Sequence, residues 1–146
     1  MAFVWVLCAT NGQRNRINRL VARFGVSISW TAQRNTPNTY QSRFQIDADS
    51  AELASDFARI GCVYEIEDCN QRFLYHPGLG IHRQQLDEAG EIVLRAGHVQ
   101  RLLVEANGSN HELERLLRVA QGIAWMDLLE PYRSGAIRAD LLPKAV

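Results

Sequence analysis

No aspartate or glutamate occurs in the first 46 residues of this chain, although 16 acidic residues follow. That stretch holds Arg14, Arg16, Arg19, Arg23, Arg34 and Arg43, and a net charge of zero therefore conceals a basic N-terminal part and an acidic remainder. Lysine is almost missing as well. Of the 16 basic residues all but Lys144 are arginine, whose planar guanidinium grips carboxylates and phosphates with two prongs. No apolar run approaches the roughly 20 residues that cross a bilayer, and Met1 to Ala9 has no basic segment before it to make it a secretory signal. Cys8, Cys62 and Cys69 form an odd set without the close spacing of a zinc or redox motif. Reduced thiols, a cytoplasmic location and no membrane association are the expectations.

At 146 residues, 47% apolar and 22% charged, the chain has the size and composition of one folded domain with one core. Phe3 to Ala9 reads as a buried strand, and Asn11-Gly12 turns the chain into a helical pattern with Ile17, Leu20, Val21 and Phe24 on one face, ended by Gly25. Val26, Ile28 and Trp30 then alternate with Ser27, Ser29 and Thr31. After the turn at Asn35-Thr36-Pro37-Asn38, Tyr40, Ser42, Phe44 and Ile46 alternate with Gln41, Arg43 and Gln45, predicting a hairpin. Asp49 and Glu52 cap a second helix carrying Leu53, Phe57 and Ile60, Gly61 stops it, and Cys62 to Glu67 is the next strand.

The order strand, helix, strand, strand, helix, strand is that of a ferredoxin-like unit, so the fold class expected is α+β. Residues 1–68 should form one antiparallel sheet backed by two helices on one face. Residues 69–95 should extend it with short strands, residues 96–135 should be helical, and residues 136–146 should fray. In the helical part, Asn107-Gly108 separates a helix with Val99, Leu102, Leu103 and Ala106 from one that Ser109 and Glu112 cap, with the stripe Leu113, Leu116, Leu117 and Ala120.

Catalytic motifs are lacking. His76, His82, His98 and His111 are not at the three- or four-residue spacing of helical zinc pairs, no serine has a G-x-S-x-G surround, and no cysteine has a thiol-protease signature. Gly78-Leu79-Gly80 is too short for a dinucleotide fingerprint and reads as a sharp bend between two strands. No cofactor, metal or catalytic residue is assigned. Arg16, Arg19 and Arg23 recur at helical spacing with no acidic residue nearby in sequence, so they read either as a solvated helix face or as an anion-binding stripe, with Arg34 and Arg43 adding charge. The absence of an RNA-recognition pattern on the strand Tyr40 to Ile46, and of a helix-turn-helix or zinc signal, argues against nucleic acid. Trp125, Tyr132 and their neighbours are core or interface residues, and Trp125 is expected to be largely buried beneath the fourth helix.

Three strings carry a resemblance: Arg72-Phe73-Leu74-Tyr75-His76-Pro77-Gly78-Leu79-Gly80-Ile81-His82, then Gly90-Glu91-Ile92-Val93, and Ala124-Trp125-Met126-Asp127-Leu128-Leu129-Glu130-Pro131-Tyr132-Arg133. With Ser29-Trp30-Thr31 and Pro37-Asn38-Thr39-Tyr40 they resemble an actinobacterial domain of unknown function, family 3145, over most of residues 3–135. The chain departs from that pattern around Cys8-Ala9-Thr10 and lacks its terminal Trp-Leu segment. The resemblance implies a bacterial cytoplasmic protein but supplies no activity, and some relatives are similar to genes lying near those of fatty-acid synthesis.

These features point to a non-catalytic accessory or regulatory module that binds a larger enzyme assembly, such as an acyl-CoA carboxylase or fatty-acid synthesis complex. The Arg stripe would meet an acidic carrier protein, and Trp125, Glu130, Tyr132 and Arg133 would serve as interface or core. The alternative is a small-molecule or phosphate-binding domain, or a small enzyme, that uses the Tyr75 to Arg83 bend as a pocket wall with Tyr75, His76, His82 and Arg83.

Overall fold

The first strand is buried on both sides, and that arranges everything else. The computed structural model describes residues 1–34 and 36–134. In β1 (Ala2–Thr10), Val4, Val6 and Ala9 enter one buried cluster and Leu7 and Cys8 enter a second. A register shift between Val6 and Ala9 lets two consecutive side chains, Leu7 and Cys8, point the same way, as a β-bulge does.

Among the described residues β1 is the third strand of a seven-stranded sheet, ordered β2-β3-β1-β4-β5-β6-β7. The others are β2 (Thr31–Ala32), β3 (Thr39–Ile46), β4 (Val63–Glu67), β5 (Gln71–His76), β6 (Gly80–Leu86) and β7 (Ile92–Val93). Every pair is antiparallel. The first four strands have the neighbour order of the split β-α-β unit expected from the sequence, so the chain is an α+β protein.

Helices α1 (Asn11–Ala22) and α2 (Ser50–Ile60) lie together on one face of this sheet. Thr10 caps α1 through a reciprocal pair with Gln13, so Asn11-Gly12 forms the first helical turn rather than a turn before it. Asp49 caps α2, and Gly61 ends it at φ 89°, a conformation open to glycine at little cost. Ile17 and Val21 of α1 and Leu53, Phe57 and Ile60 of α2 bury against the sheet. The Tyr64 hydroxyl donates to the Ala54 carbonyl and ties α2 to β4. Phe57 meets Tyr64 edge to face at 5.9 Å; truncating such a ring costs about 3–5 kcal/mol.

The segment 26–30 follows the expected alternation, with Val26, Ile28 and Trp30 packed inward, but ladder pairing with β3 is limited to Thr31 and Ala32. Upstream of that pair, the Ser42 hydroxyl takes the Ser29 carbonyl at 2.6 Å and the Trp30 indole N–H donates to Asn18 on α1 at 2.8 Å. The edge is thus held by side chains instead of a ladder.

Helices α3 (Ala96–Ala106), α4 (Asn110–Ala120) and α5 (Ile123–Ser134) follow the sheet, with α3 packed on α4 and α4 on α5. Asn107 at φ 48° and Gly108 at φ 80° make the break between α3 and α4, and Ser109 caps α4. α5 crosses to the face opposite α1 and α2, where Leu129 and Tyr132 bury against Leu7, Cys8, Val63 and Leu74. The expected fraying of 136–146 falls outside the described residues.

Candidate functional site

Three surfaces bring together residues with chemical capacity. The first is the outer side of α1. Burial of Gln13, Ile17 and Val21 turns the opposite arc outward, so Arg16, Arg19 and Arg23 are all exposed. None of the three side chains forms a hydrogen bond or ion pair among the described residues. Arg16 and Arg19 border a shallow cavity of about 330 Å³ with Thr10, Gly12 and Asn15. Arg34 is exposed on the β2–β3 connection. Arg43 does not join them: it lies on the other face of the sheet, its guanidinium 3.6 Å from the centre of the Trp5 ring.

The second is the β5–β6 hairpin, whose four candidate residues divide between the two faces of the sheet. Tyr75 stacks on Tyr64 at 5.3 Å on the α1–α2 side, and the Arg83 guanidinium on that side donates to Gln71 at 2.6 Å. His76 and His82 lie on the α5 side. The ring of His76 accepts the Gly78 N–H at Nδ1, 3.0 Å, which leaves Nε2 to carry the proton of the neutral ring and donate to the Tyr132 hydroxyl at 3.3 Å. His82 stacks on Trp125, with its Nε2 buried and without a hydrogen-bond partner among the described residues. Burial pushes the His82 pKa below the ordinary 6.5, favouring the neutral ring. The Trp125 indole N–H donates to the Gly80 carbonyl at 3.0 Å.

The hairpin is therefore a seat for α5. Two of the three strings that carry the resemblance meet here, and Arg133 closes the contact from the far end, donating through Nη2 and Nε to Glu65 at 3.0 and 3.1 Å. Glu65 is also held by Arg72 at 3.2 Å, and Arg72 reaches Glu67 at 3.0 Å. Glu130 is exposed and 3.7 Å from Arg133. Tyr132 is fully buried, and desolvation raises its pKa. Trp125 is half-buried rather than sealed beneath α4, because one ring face is stacked on His82 while the indole also lines a cavity.

That cavity, about 630 Å³, is the third surface, a partly open cleft bordered by β6, β7, α3, α4 and Trp125. Ile92, Leu94, Leu102, Leu116 and Val119 supply apolar lining, and Arg95, His98 and Arg101 supply polar donors. His98 stands out in the sequence as a histidine, whereas the two arginines belong to no motif and meet it only because β7 leads into α3 beside the sheet.

The two buried cysteines are poorly suited to thiolate chemistry. Burial pushes the Cys8 thiol up to about 12 and Cys62 further, so neither forms a thiolate near neutrality. Cys69 is exposed. Among the described residues no group of three or more His, Cys, Asp or Glu could hold a metal ion, and no helix is long and apolar enough to cross a membrane.

No curated protein matches the chain, and no solved structure does. A family model matches residues 17–142, and the chain thus belongs to the family described as Protein of unknown function (DUF3145).

Proposed function

We propose that this chain is a non-catalytic accessory or regulatory module of a larger cytoplasmic enzyme assembly, docking an acidic protein through the outer face of α1. The observation that carries the reading is the free arc of Arg16, Arg19 and Arg23. Three guanidinium groups within one helical arc, none engaged in an ion pair among the described residues, present a positive strip that an acidic surface can neutralise. Arg34 adds charge nearby in the chain, whereas Arg43, stacked on Trp5 across the sheet, does not contribute. Acidic carrier proteins of acyl-chain or carboxylation chemistry are the partner class that fits such a strip, and reduced Cys8 and Cys62 suit the cytoplasm.

The test is a calorimetric titration with purified acyl carrier protein and biotinyl carrier domain, alongside mass spectrometry of proteins that co-purify with the native chain. The Arg16→Glu, Arg19→Glu, Arg23→Glu triple variant should fold, since exposed positions each shift stability by about 0.5 kcal/mol or less. Wild-type binding should weaken as salt rises, and the variant should not bind. Equal binding by both proteins at low salt returns the strip to an ordinary solvated face.

A further inference from the structure

We propose that the cavity of about 630 Å³ between β6–β7, α3, α4 and Trp125 binds a small amphipathic carboxylate, its apolar body inside and its anionic head at Arg95 and Arg101. The volume lies within the range of small-molecule sites, which combine apolar walls with a few placed polar groups. The lining holds both components, with Leu102, Leu116, Val119 and Trp125 supplying apolar wall and the exposed Arg95 and Arg101, with His98, supplying the polar groups.

Three observations make this an open site and not a packing gap. First, α4 has a strongly amphipathic sequence yet buries no residue fully, so Leu116 and Val119 face the cavity where a core would normally cover them. Val119 stays 51% exposed. Second, neither the Arg95 nor the Arg101 side chain has a hydrogen bond or ion pair among the described residues. Glu105, the one acidic lining residue, forms no ion pair with either arginine among the described residues. Third, Arg95 sits at the N-cap of α3 with no side-chain cap and no acidic residue in the first turn, so the positive end of the helix adds to the same rim. On the inner wall the Gln84 amide donates to the Gln121 carbonyl at 2.9 Å, and the buried His82 Nε2, without a hydrogen-bond partner among the described residues, belongs to a ring that burial favours as neutral, so neither supplies a positive charge. The charged head therefore belongs at the rim.

The decisive experiment titrates the whole chain with octanoate, octyltrimethylammonium and acetate by calorimetry, with Trp fluorescence as a second readout. Octanoate should bind, the cation with the same tail should bind at least about tenfold more weakly, and acetate should not register. Arg95→Ala with Arg101→Ala should weaken octanoate about tenfold or more, the loss expected from charged hydrogen bonds. Val119→Trp, placed at the exposed mouth where folding tolerates it, should block entry. Melting curves check that each variant folds. Equal affinity for the two tailed ions, no heat with octanoate, or octanoate binding unchanged by the arginine or Val119 variants would overturn the assignment. The α1 triple-Glu variant should bind octanoate like wild type, so this site stands or falls separately from the docking face.

Discussion

The His82 imidazole lies stacked on the Trp125 indole, ring centroids 4.6 Å apart and planes inclined by 28°. Its opposite edge is pressed on the backbone at Gly122, where a Cβ would fall 2.3 Å from Cδ2 and 2.5 Å from Nε2. Gly122 also has φ 73°, so the residue just before α5 must both turn left-handed and leave room for a ring.

Gly122→Ala should therefore destabilise by about 2–4 kcal/mol, combining the left-handed backbone cost with overpacking. Gly25→Ala is the control. Gly25 has a similar φ of 71° but nothing within 4 Å of its Cβ position, so only the backbone cost of about 1–2 kcal/mol applies. Urea unfolding midpoints of the two variants would separate the terms, and equal losses would show that the His82 edge yields easily.

The same burial makes stability depend on pH. Desolvation holds the native His82 pKa below 6.5, its ordinary value and the one taken for the unfolded chain. Above that value both states carry a neutral ring and His82 adds no pH dependence. As pH falls through 6.5 the unfolded chain takes up the proton first, so native stability declines, by at most about 1.4 kcal/mol per pH unit, until the native ring also titrates. His82→Phe keeps a ring against Trp125 and removes the proton site. Whatever its own stability, the variant should lose less between about pH 7 and pH 5 than wild type does. Parallel slopes in thermal melts over that range would contradict this.

Much of the secondary structure was legible because its signals are local. The caps at Asp49 and Ser109, the stops at Gly61 and Asn107-Gly108, and the alternation on β3 all stand where the chain uses them. The same alternation already placed Arg43 opposite Tyr40, Ser42 and Phe44, yet summed charge grouped it with the arginines of α1; charge adds along a sequence, but binding occurs on a face. What escaped is long-range. His76 meets Tyr132 across 56 positions and Glu65 meets Arg133 across 68, and neither pairing leaves a periodic trace. The position of α5 on the second face, and the cavity that follows from it, come from those contacts.

The Glu65–Arg133 pair offers a test of how firmly the end of α5 is held. Both side chains are mostly shielded, 15% and 20% exposed, and Arg133 donates twice to one oxygen. Arg133→Ala leaves Glu65 still paired with Arg72, so no buried charge is orphaned and the cost should be about 1–2 kcal/mol, below that of breaking an isolated buried pair. Glu130→Ala removes only a 3.7 Å contact from a side chain 68% exposed and should change stability by about 0.5 kcal/mol or less. Chemical denaturation that ranks Glu130 above Arg133 would mean that the exposed pair, not the shielded one, anchors the helix.

Trp125 combines three roles that graded substitutions can separate. Its ring stacks on His82, its N–H donates to Gly80, and its free surface faces the cavity. Trp125→Phe retains a ring and drops the hydrogen bond, leaving the Gly80 carbonyl at the hairpin unpaired by α5, at about 1–2 kcal/mol. Trp125→Ala removes the stack as well. Because the indole is only half-buried, the cost should fall near or below the lower end of the 3–5 kcal/mol typical of deleting a fully buried aromatic, about 2–3 kcal/mol. The loss should also be regional, since α5 is held on the hairpin through Trp125 at one end and on β4 through Arg133 at the other. Hydrogen exchange should quicken across Ile123–Ser134 and β6 in the Ala variant, while α1 and α2, whose buried residues belong to the opposite cluster, keep their protection. Uniform acceleration over both clusters would show instead that the two faces of the sheet unfold as one unit.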